Sequence, residues 1–287
     1  MRQFLIEWGP FAVPSYGFFV AMAIITGMAL SEKRGKEIGL PPFLILDTLF
    51  IGFLAALVGT RVFYYIFGGE KGHSLITEGH VRSIYGALFS GLLASFVFLK
   101  YKKGPVLKSL DVIFLYFPLS HAIGRLGCLC YGCCHGRISD WPFFTLQFPK
   151  IMGYTGEVVG TPAFLKHFNK GLVTAGEELS LPVYPTQPFA IISLLIIFLV
   201  LRTIADKKNI KEKSGFIMFL YFILNGLERF IEEIMRDHYR YWGIITKPQI
   251  VSILLIIAGV IGLVKVKNRV EKKISRQQRR RMKKAAI

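Results

Sequence analysis

Residues 43–67 read FLILDTLFIGFLAALVGTRVFYYIF, and Asp47 and Arg61 are the only charged side chains in this stretch. A helix needs about 20 predominantly apolar residues to cross the hydrocarbon core of a bilayer. The stretch exceeds that length, so it predicts a transmembrane helix. Because apolar runs of this length are typical of membrane proteins, the segment indicates the fold class of the whole chain.

The composition agrees with a membrane protein. Of the 287 residues, 53% are hydrophobic and 19% are charged, and the mean hydropathy is +0.47. A typical soluble domain is about 25% charged, and an intrinsically disordered chain has far fewer apolar residues. The formal net charge of +18 would suggest a nucleic-acid partner on a polar chain. Beside long apolar runs it indicates a membrane instead.

Seven apolar segments are long enough, or nearly long enough, to span a bilayer. They are residues 14–30, 43–67, 84–99, 110–130, 189–201, 215–231 and 250–264. The predicted fold is therefore all-α and integral to the membrane: a seven-helix transmembrane bundle with a small extracytoplasmic head segment. The predicted divisions are spans one to four in residues 1–136, the head in 137–186, spans five to seven in 187–266, and a basic cytoplasmic tail in 267–287.

The basic residues predict the orientation of these spans. Of the 36 Lys and Arg residues, 23 lie in alternate connections that include the C-terminal tail, and 10 lie in the others. Cytoplasmic loops carry the excess of Lys and Arg, so we expect the N-terminus outside and the C-terminus in the cytoplasm. The basic run at residues 279–284 is then expected to meet anionic lipid at the cytoplasmic surface, and no nucleic-acid partner is expected.

Three arginines fall within the apolar segments: Arg61, Arg125 and Arg229. A charged side chain at membrane depth costs roughly 2.5–3.5 kcal/mol on insertion scales, so each is a candidate for function. Arg125 has no acidic residue within four positions and therefore calls for an anion from elsewhere. A lipid phosphate fits the fork of donors that a guanidinium presents. Arg61 either reaches the interface along its aliphatic stem or meets a head group there.

Arg229 differs because acidic residues follow it on the same helix. Arg229 and Glu233 are spaced i,i+4, as are Glu232 and Arg236, so each pair shares a helix face. A structural ion pair explains this pattern without any chemistry. A second interpretation is that Arg229 acts with Arg125 to clamp one phosphodiester, and the sequence leaves both open.

All four cysteines lie in one short run, Cys128, Cys130, Cys133 and Cys134, followed by His135. Thiols and imidazole match zinc ligands by type, but structural zinc sites usually divide their ligands between two separated pairs. Cys130 and Cys133 form a CxxC pattern, which suggests redox chemistry in an oxidising compartment. Small apolar packing between helices, with room for a disulfide, is the third interpretation. We favour the third and predict no metal site.

Several short motifs in a fixed order resemble those of the prolipoprotein diacylglyceryl transferases. They are Tyr16-Gly17, Gly124-Arg125-Leu126-Gly127 with Gly136-Arg137, Tyr184-Pro185-Thr186-Gln187, the segment from Asn225-Gly226 through Arg229-Phe230 and Glu233 to Arg236, and residues 246–252, TKPQIVS. Each motif is short, but their order and spacing together are specific, and the resemblance covers nearly the whole chain.

The resemblance implies an enzyme of the bacterial plasma membrane. It would transfer the diacylglyceryl group of phosphatidylglycerol to the lipobox cysteine in the signal peptide of a prolipoprotein, forming a thioether and releasing glycerol phosphate. No cofactor is implied, and we expect a monomer. Arg125 and Arg229 would hold the head group, and Glu233 would orient Arg229. Tyr16, Gly136 and Gln187 would line the substrate site. Arg61 is added as a candidate substrate-binding residue because of its charge at membrane depth, not because of the resemblance.

This chain departs from the family pattern at five positions. Cys128, Tyr131 and Cys133 replace two Asn and a Glu of the signature, Tyr85 replaces a histidine, and Asn225 replaces a tyrosine. Because of these differences, the sequence leaves two alternatives open. One is a related lipid transferase with an acceptor other than a lipoprotein, and the other is a thiol-redox membrane protein that uses Cys128–Cys134.

A transfer to a thiol also needs a proton acceptor, because the thiolate is the nucleophile. His121 lies four residues before Arg125, on the same predicted helix face, and is our candidate. A hydrogen bond across the helix bundle would explain His121 equally well. His73 and His80, ahead of the third span, are the other candidates.

Overall fold

The computed structural model describes residues 4–8, 11–67, 84–141, 143–152, 158–207, 210, 213–236 and 245–285. These residues contain eight helices: α1 Ser15–Glu37, α2 Leu44–Phe67, α3 Ile84–Tyr101, α4 Val106–Tyr131, α5 Pro162–Asn169, α6 Thr186–Ala205, α7 Phe216–Ile234 and α8 Lys247–Ala285. Two antiparallel strand pairs accompany them: β1 Phe4–Trp8 with β2 Phe11–Pro14, and β3 Lys150–Met152 with β4 Val158–Gly160.

Five of the described helices are long and apolar enough to cross a membrane. These spans are Ser15–Glu37, Leu44–Ile66, Val106–Tyr131, Thr186–Ala205 and Lys247–Glu271, and a shorter apolar helix covers Gly86–Tyr101. Large apolar side chains on these helices remain exposed, such as Val58 at 64% and Phe89 at 64%. A soluble protein rarely exposes such continuous apolar surface. The helices therefore confirm a multi-pass helical membrane protein.

The chain divides into two compact units, which we describe separately. The first comprises Met1–Gly27 with Phe114–Ile287, and the second comprises Met28–Ile113.

In the second unit, α2 packs closely on α3 through small residues. A Cβ atom added to Gly59 would lie 2.9 Å from the carbonyl oxygen of Gly86. Ser90 Oγ donates to the carbonyl of Ala55 on the opposite helix at 2.9 Å. Small residues and hydroxyl bonds of this kind hold helices together where no hydrophobic effect is available between them.

In the first unit, α7 packs against α8 in the same way. A Cβ atom on Gly226 would lie 2.9 Å from the carbonyl of Ser252, and one on Gly259 would lie 2.8 Å from that of Phe219. Aromatic rings join α4 to α7, since Phe114 stacks on Tyr221 with ring centroids 5.3 Å apart. These contacts fix α4 and α7 side by side, and both helices carry the charged residues of interest.

The segment between α4 and α6 folds around a small apolar cluster. Phe148, Ala163 and Val183 are fully buried there, with Leu146 packed against them. Helix α5 begins after Thr161, whose side chain caps it by accepting from the backbone N–H of Phe164. Leu146 and Val183 form an antiparallel bridge in this segment, and β3 follows a few residues later.

We predict that Gly59→Leu destabilises the protein, because the larger side chain meets the backbone of α3. Overpacking of this kind costs about 1–3 kcal/mol. Thermal unfolding in detergent should show a lower midpoint. The matched control is Val58→Leu at the adjacent, exposed position, which should unfold like the wild type. Equal midpoints for Gly59→Leu and Val58→Leu would contradict the close approach of α2 and α3.

Candidate functional site

One buried carboxylate in the first unit contacts three arginines. Glu232 of α7 is fully buried. Its Oε2 lies 3.3 Å from Arg125 Nη2 of α4 and also accepts from Arg229 Nη1, and its Oε1 accepts from Arg236 Nη2 at 2.7 Å. We call Arg125, Arg229 and Arg236 around Glu232 the arginine cluster. A carboxylate has about four acceptor positions, which is enough to serve three guanidinium groups.

The pairing of Arg125 corrects a prediction from the sequence. We expected an anion from elsewhere, with a lipid phosphate as the candidate, because Arg125 has no acidic residue within four positions on α4. Its partner instead comes from α7, 107 residues later in the chain. The sequence predicted Glu232 only as a partner of Arg236, and its contacts with Arg125 and Arg229 were not predicted. The available signal was its spacing, i+3 from Arg229 and i−4 from Arg236, which places all three on one helix face.

The predicted pair of Arg229 and Glu233 is also present, though it is longer. Arg229 Nη2 lies 3.9 Å from Glu233 Oε2, and Glu233 is buried. Glu228, one turn before Glu232, accepts from Ser193 Oγ at 3.2 Å. The role that we predicted for Glu233, orienting Arg229, remains a prediction.

The three arginines differ in their access to an external anion. The side chains of Arg125 and Arg236 are only 8% and 7% exposed, whereas that of Arg229 is 26% exposed. A guanidinium has five N–H donors, and the carboxylates that contact Arg229 do not enclose it. Arg229 is therefore the member of the cluster most open to a ligand phosphate.

His121 lies one helical turn before Arg125 on α4, and the two side chains are in contact. The Nε–H of Arg125 donates to His121 Nε2 at 3.3 Å. An accepting Nε2 requires the ring proton to be on Nδ1, and Nδ1 is buried without a hydrogen-bond partner among the described residues. His121 thus positions Arg125 in this arrangement, and it would have to release Arg125 before its Nε2 accepted a proton. The alternatives His73 and His80 lie outside the described residues.

The cysteine run forms a compact group of thiols. The Sγ atoms of Cys128, Cys133 and Cys134 all lie within 4.8 Å of one another. We call these three residues the thiol cluster; Cys130 is outside it. All four cysteines are free thiols. The CxxC pair Cys130 and Cys133 is therefore not the pair that the structure brings together.

A turn in the backbone brings three thiols of this short run together. The chain reverses direction at the end of α4, where Gly132 has φ +79° and Cys134 has φ +58°. The backbone N–H groups of Gly132 and Cys133 both donate to the carbonyl of Cys128. Left-handed residues after a helix are typical of such a reversal, and here they return two thiols to a third.

Two buried side chains at the start of α6 hold this turn. Gln187 Nε2 donates to the carbonyl of Cys133 at 2.8 Å, and Thr186 Oγ1 donates to that of Cys134 at 2.8 Å. Gln187 was predicted to line the substrate site, and its observed contact is with the backbone of the thiol cluster. The motif at residues 184–187 thereby supports the geometry of the cysteines.

The three thiols are hydrogen-bonded to one another, and these bonds shift the pKa values of Cys133 and Cys134 in opposite directions. The pKa of Cys134 is lowered because the thiols of Cys128 and Cys133 donate to its thiolate, and Arg236 and Arg125 add favourable charge. The pKa of Cys133 is raised because its hydrogen bonds with Cys128 and Cys134 retain its proton. Burial lowers the pKa of the neighbouring His135.

The remaining predicted residues fall at different places. Gly136 follows α4 and lies close to the backbone just after α7. A Cβ atom there would be 2.6 Å from the carbonyl oxygen of Tyr184 and 2.9 Å from that of Met235, so the position has no room for a side chain. Tyr16 at the start of α1 is 42% exposed, and its ring centroid lies 5.9 Å from that of Tyr131. Arg61 belongs to α2 of the second unit. The substrate contacts of all three remain predictions.

We predict that Glu232→Gln strongly destabilises the protein. Removing one partner from a buried ionic group costs about 3–5 kcal/mol, because the remaining charges stay buried without compensation. Thermal unfolding in detergent should show a large loss. Glu178→Gln removes the same charge from an exposed site and should leave the midpoint unchanged. A wild-type midpoint for Glu232→Gln would mean that Glu232 is not the centre of the cluster.

Comparison with known proteins gives one family. The family model described as "Prolipoprotein diacylglyceryl transferase" matches residues 3–265. A phosphatidylglycerol–prolipoprotein diacylglyceryl transferase of Finegoldia magna is 29% identical over 90% of this chain and 92% of its own length. Similar proteins of that name from Clostridium perfringens (number 2) and Clostridium tetani are 28% and 25% identical, over 94% and 91% of this chain and 98% and 96% of their own. The resemblance seen in the motifs is confirmed, and the chain belongs to the prolipoprotein diacylglyceryl transferase family.

Proposed function

We propose that the protein transfers the diacylglyceryl group of phosphatidylglycerol to the lipobox cysteine of a prolipoprotein, forming a thioether and releasing glycerol phosphate. Family membership and the names of its relatives support the reaction class. The observation that carries the proposal is the arginine cluster. The guanidinium groups of Arg125 on α4, Arg229 on α7 and Arg236 just after α7 meet at one buried carboxylate, and Arg229 keeps part of its surface accessible.

The proposed topology has seven spans, formed by α1 to α4 and α6 to α8, in a monomer with its N-terminus outside and its C-terminus in the cytoplasm. Residues 137–186 would then form the extracytoplasmic head, and residues 267–287 the basic cytoplasmic tail. In this orientation α4 and α7 both end at the outer face. Arg125 lies six residues before the end of α4, about 9 Å below it at 1.5 Å per residue. Such a depth suits the phosphate of a lipid in the outer leaflet.

In the proposed reaction the acceptor thiolate attacks the glycerol carbon that carries the phosphate. A C–S bond forms as the C–O bond breaks, and the electron pair of that bond leaves with the glycerol phosphate. The phosphate gains negative charge during this step, so cations aimed at it lower the barrier. Arg229 contacts the phosphate, with Arg125 beside it. Glu232 and Glu233 keep the guanidinium groups together against their mutual repulsion.

The assay is transfer of radiolabel from phosphatidylglycerol to a synthetic lipobox peptide by purified protein. We predict that Arg229→Ala lowers the transfer rate by about 10²–10³-fold, the usual effect of removing one donor from a developing anion. Arg202→Ala removes a partly exposed arginine from the far end of α6 and should leave the rate unchanged. Wild-type transfer by Arg229→Ala would refute the phosphate site. If the radiolabel appears on a small thiol or on another lipid but not on the peptide, the acceptor is not a prolipoprotein cysteine.

Substitutions at His121 separate positioning from proton transfer. Glutamine offers an acceptor oxygen to Arg125 but no basic nitrogen. We predict that His121→Gln keeps the transfer rate within about tenfold of wild type, whereas His121→Ala loses about 10²-fold, because a misplaced group near the reacting atoms is costly. If both variants are equally inactive, His121 is the proton acceptor that the sequence suggested.

A further inference from the structure

The thiol cluster is the one group of potential metal ligands that the described residues bring together. Its three Sγ atoms lie within 4.8 Å of one another. A tetrahedral zinc site with Zn–S bonds of about 2.3 Å places its sulfur atoms about 3.8 Å apart. The most widely separated pair of thiols therefore needs to approach by at most about 1 Å.

The backbone that carries these thiols is fixed from two sides. The reversal after α4 returns Cys133 and Cys134 to Cys128, and Gln187 and Thr186 hold the carbonyl groups of the two later cysteines. Groups outside the ligand set that fix ligand orientation are typical of metal sites. The polar contacts therefore order the turn independently of any ligand.

Charge and access also fit a cation with an open position. Three thiolates around a divalent cation carry a net charge of −1, and the positively charged Arg125 lies three residues before Cys128 on α4. Cys134 is exposed, whereas Cys128 and Cys133 are half-buried. Three protein ligands and one accessible side form the pattern of a catalytic zinc site, since structural sites use four protein ligands.

We propose that Cys128, Cys133 and Cys134 bind one thiophilic divalent cation of the zinc class, and that its fourth position takes the acceptor thiol. The second half of this proposal rests on the proposed function. The acceptor thiol enters the fourth position and loses its proton to solvent water, because a thiol that coordinates zinc is deprotonated. The bound sulfur then donates its electron pair to the glycerol carbon. The C–S bond forms, the C–O bond breaks, and glycerol phosphate departs.

A metal-bound thiolate also removes the need for a histidine base. Nε2 of His121 already accepts from Arg125. Cys128 lies three residues after Arg125 on α4, and i,i+3 neighbours on a helix have Cβ atoms about 5–6 Å apart. The cation would thus lie close to Arg125, which adjoins the phosphate-contacting Arg229 in the arginine cluster.

The first test uses cobalt(II) as a spectroscopic substitute for zinc in the full-length, reduced protein in detergent. We expect one Co²⁺ per chain, with sulfur-to-cobalt charge-transfer absorption and intense visible bands typical of a tetrahedral site, and displacement of Co²⁺ by Zn²⁺. Cys128→Ser, Cys133→Ser and Cys134→Ser should each lower Co²⁺ affinity by at least about 100-fold. Cys130→Ser is the matched control and should bind like the wild type.

Three results would overturn the metal site. The first is that reduced wild-type protein shows no sulfur-to-cobalt absorption. The second is that Cys130→Ser loses as much Co²⁺ affinity as the other three variants. The third is that protein purified without reductant contains a disulfide within the thiol cluster and does not bind Zn²⁺. The wild-type titration needs no variant, so poor folding of a Ser variant leaves the proposal testable.

The second test adds the lipobox peptide without phosphatidylglycerol to the Co²⁺ form. We expect the cobalt absorption to shift as a fourth sulfur binds, and no shift with a peptide that has Ser in place of the acceptor Cys. Zinc-loaded protein should transfer the diacylglyceryl group at least about 100-fold faster than metal-free protein. Equal rates, or no spectral shift, would refute the role of the metal and leave the transfer function intact. If neither form transfers, the proposed function fails, and the cobalt absorption alone decides the metal site.

Discussion

The carboxylate of Glu232 is the contact on which the candidate site depends. Three guanidinium groups gathered without an anion would repel one another strongly in a low-dielectric interior. Glu232 joins all three, from α4 and α7, while itself fully buried. Aromatic rings hold α4 and α7 at the distance that this carboxylate bridges. Glycines let α7 pack closely against α8.

Local features of the sequence predicted much of the fold. The apolar stretch 43–67 became α2, Leu44–Phe67, and the stretch 215–231 became the larger part of α7, Phe216–Ile234. Such runs are readable because span length and hydropathy are properties of a single segment. The hairpin of β1 and β2 was not predicted, and the basic tail continues as one helix with the last span to Ala285. A short hairpin has only a weak sequence signal compared with a long apolar run.

The candidate site was less predictable, because it depends on contacts between distant segments. Arg229 and its acidic neighbours were visible through their i,i+3 and i,i+4 spacing. The contact of Arg125 with Glu232 was not, since only the packing of α4 on α7 creates it. The convergence of the thiols was not predictable for a different reason: residue spacing along the chain does not reveal a reversal through left-handed backbone at Gly132 and Cys134. The backbone of that turn is held by Thr186 and Gln187, more than fifty residues later.

Glu232 and Arg125 act as one unit within the arginine cluster. A double-mutant cycle of Arg125→Met and Glu232→Gln, read as free energies of unfolding, tests it most directly. We predict that the double variant is more stable than the sum of the two single losses implies, by at least about 1 kcal/mol, because each single change leaves a buried charge without its partner. Strictly additive losses would contradict the account.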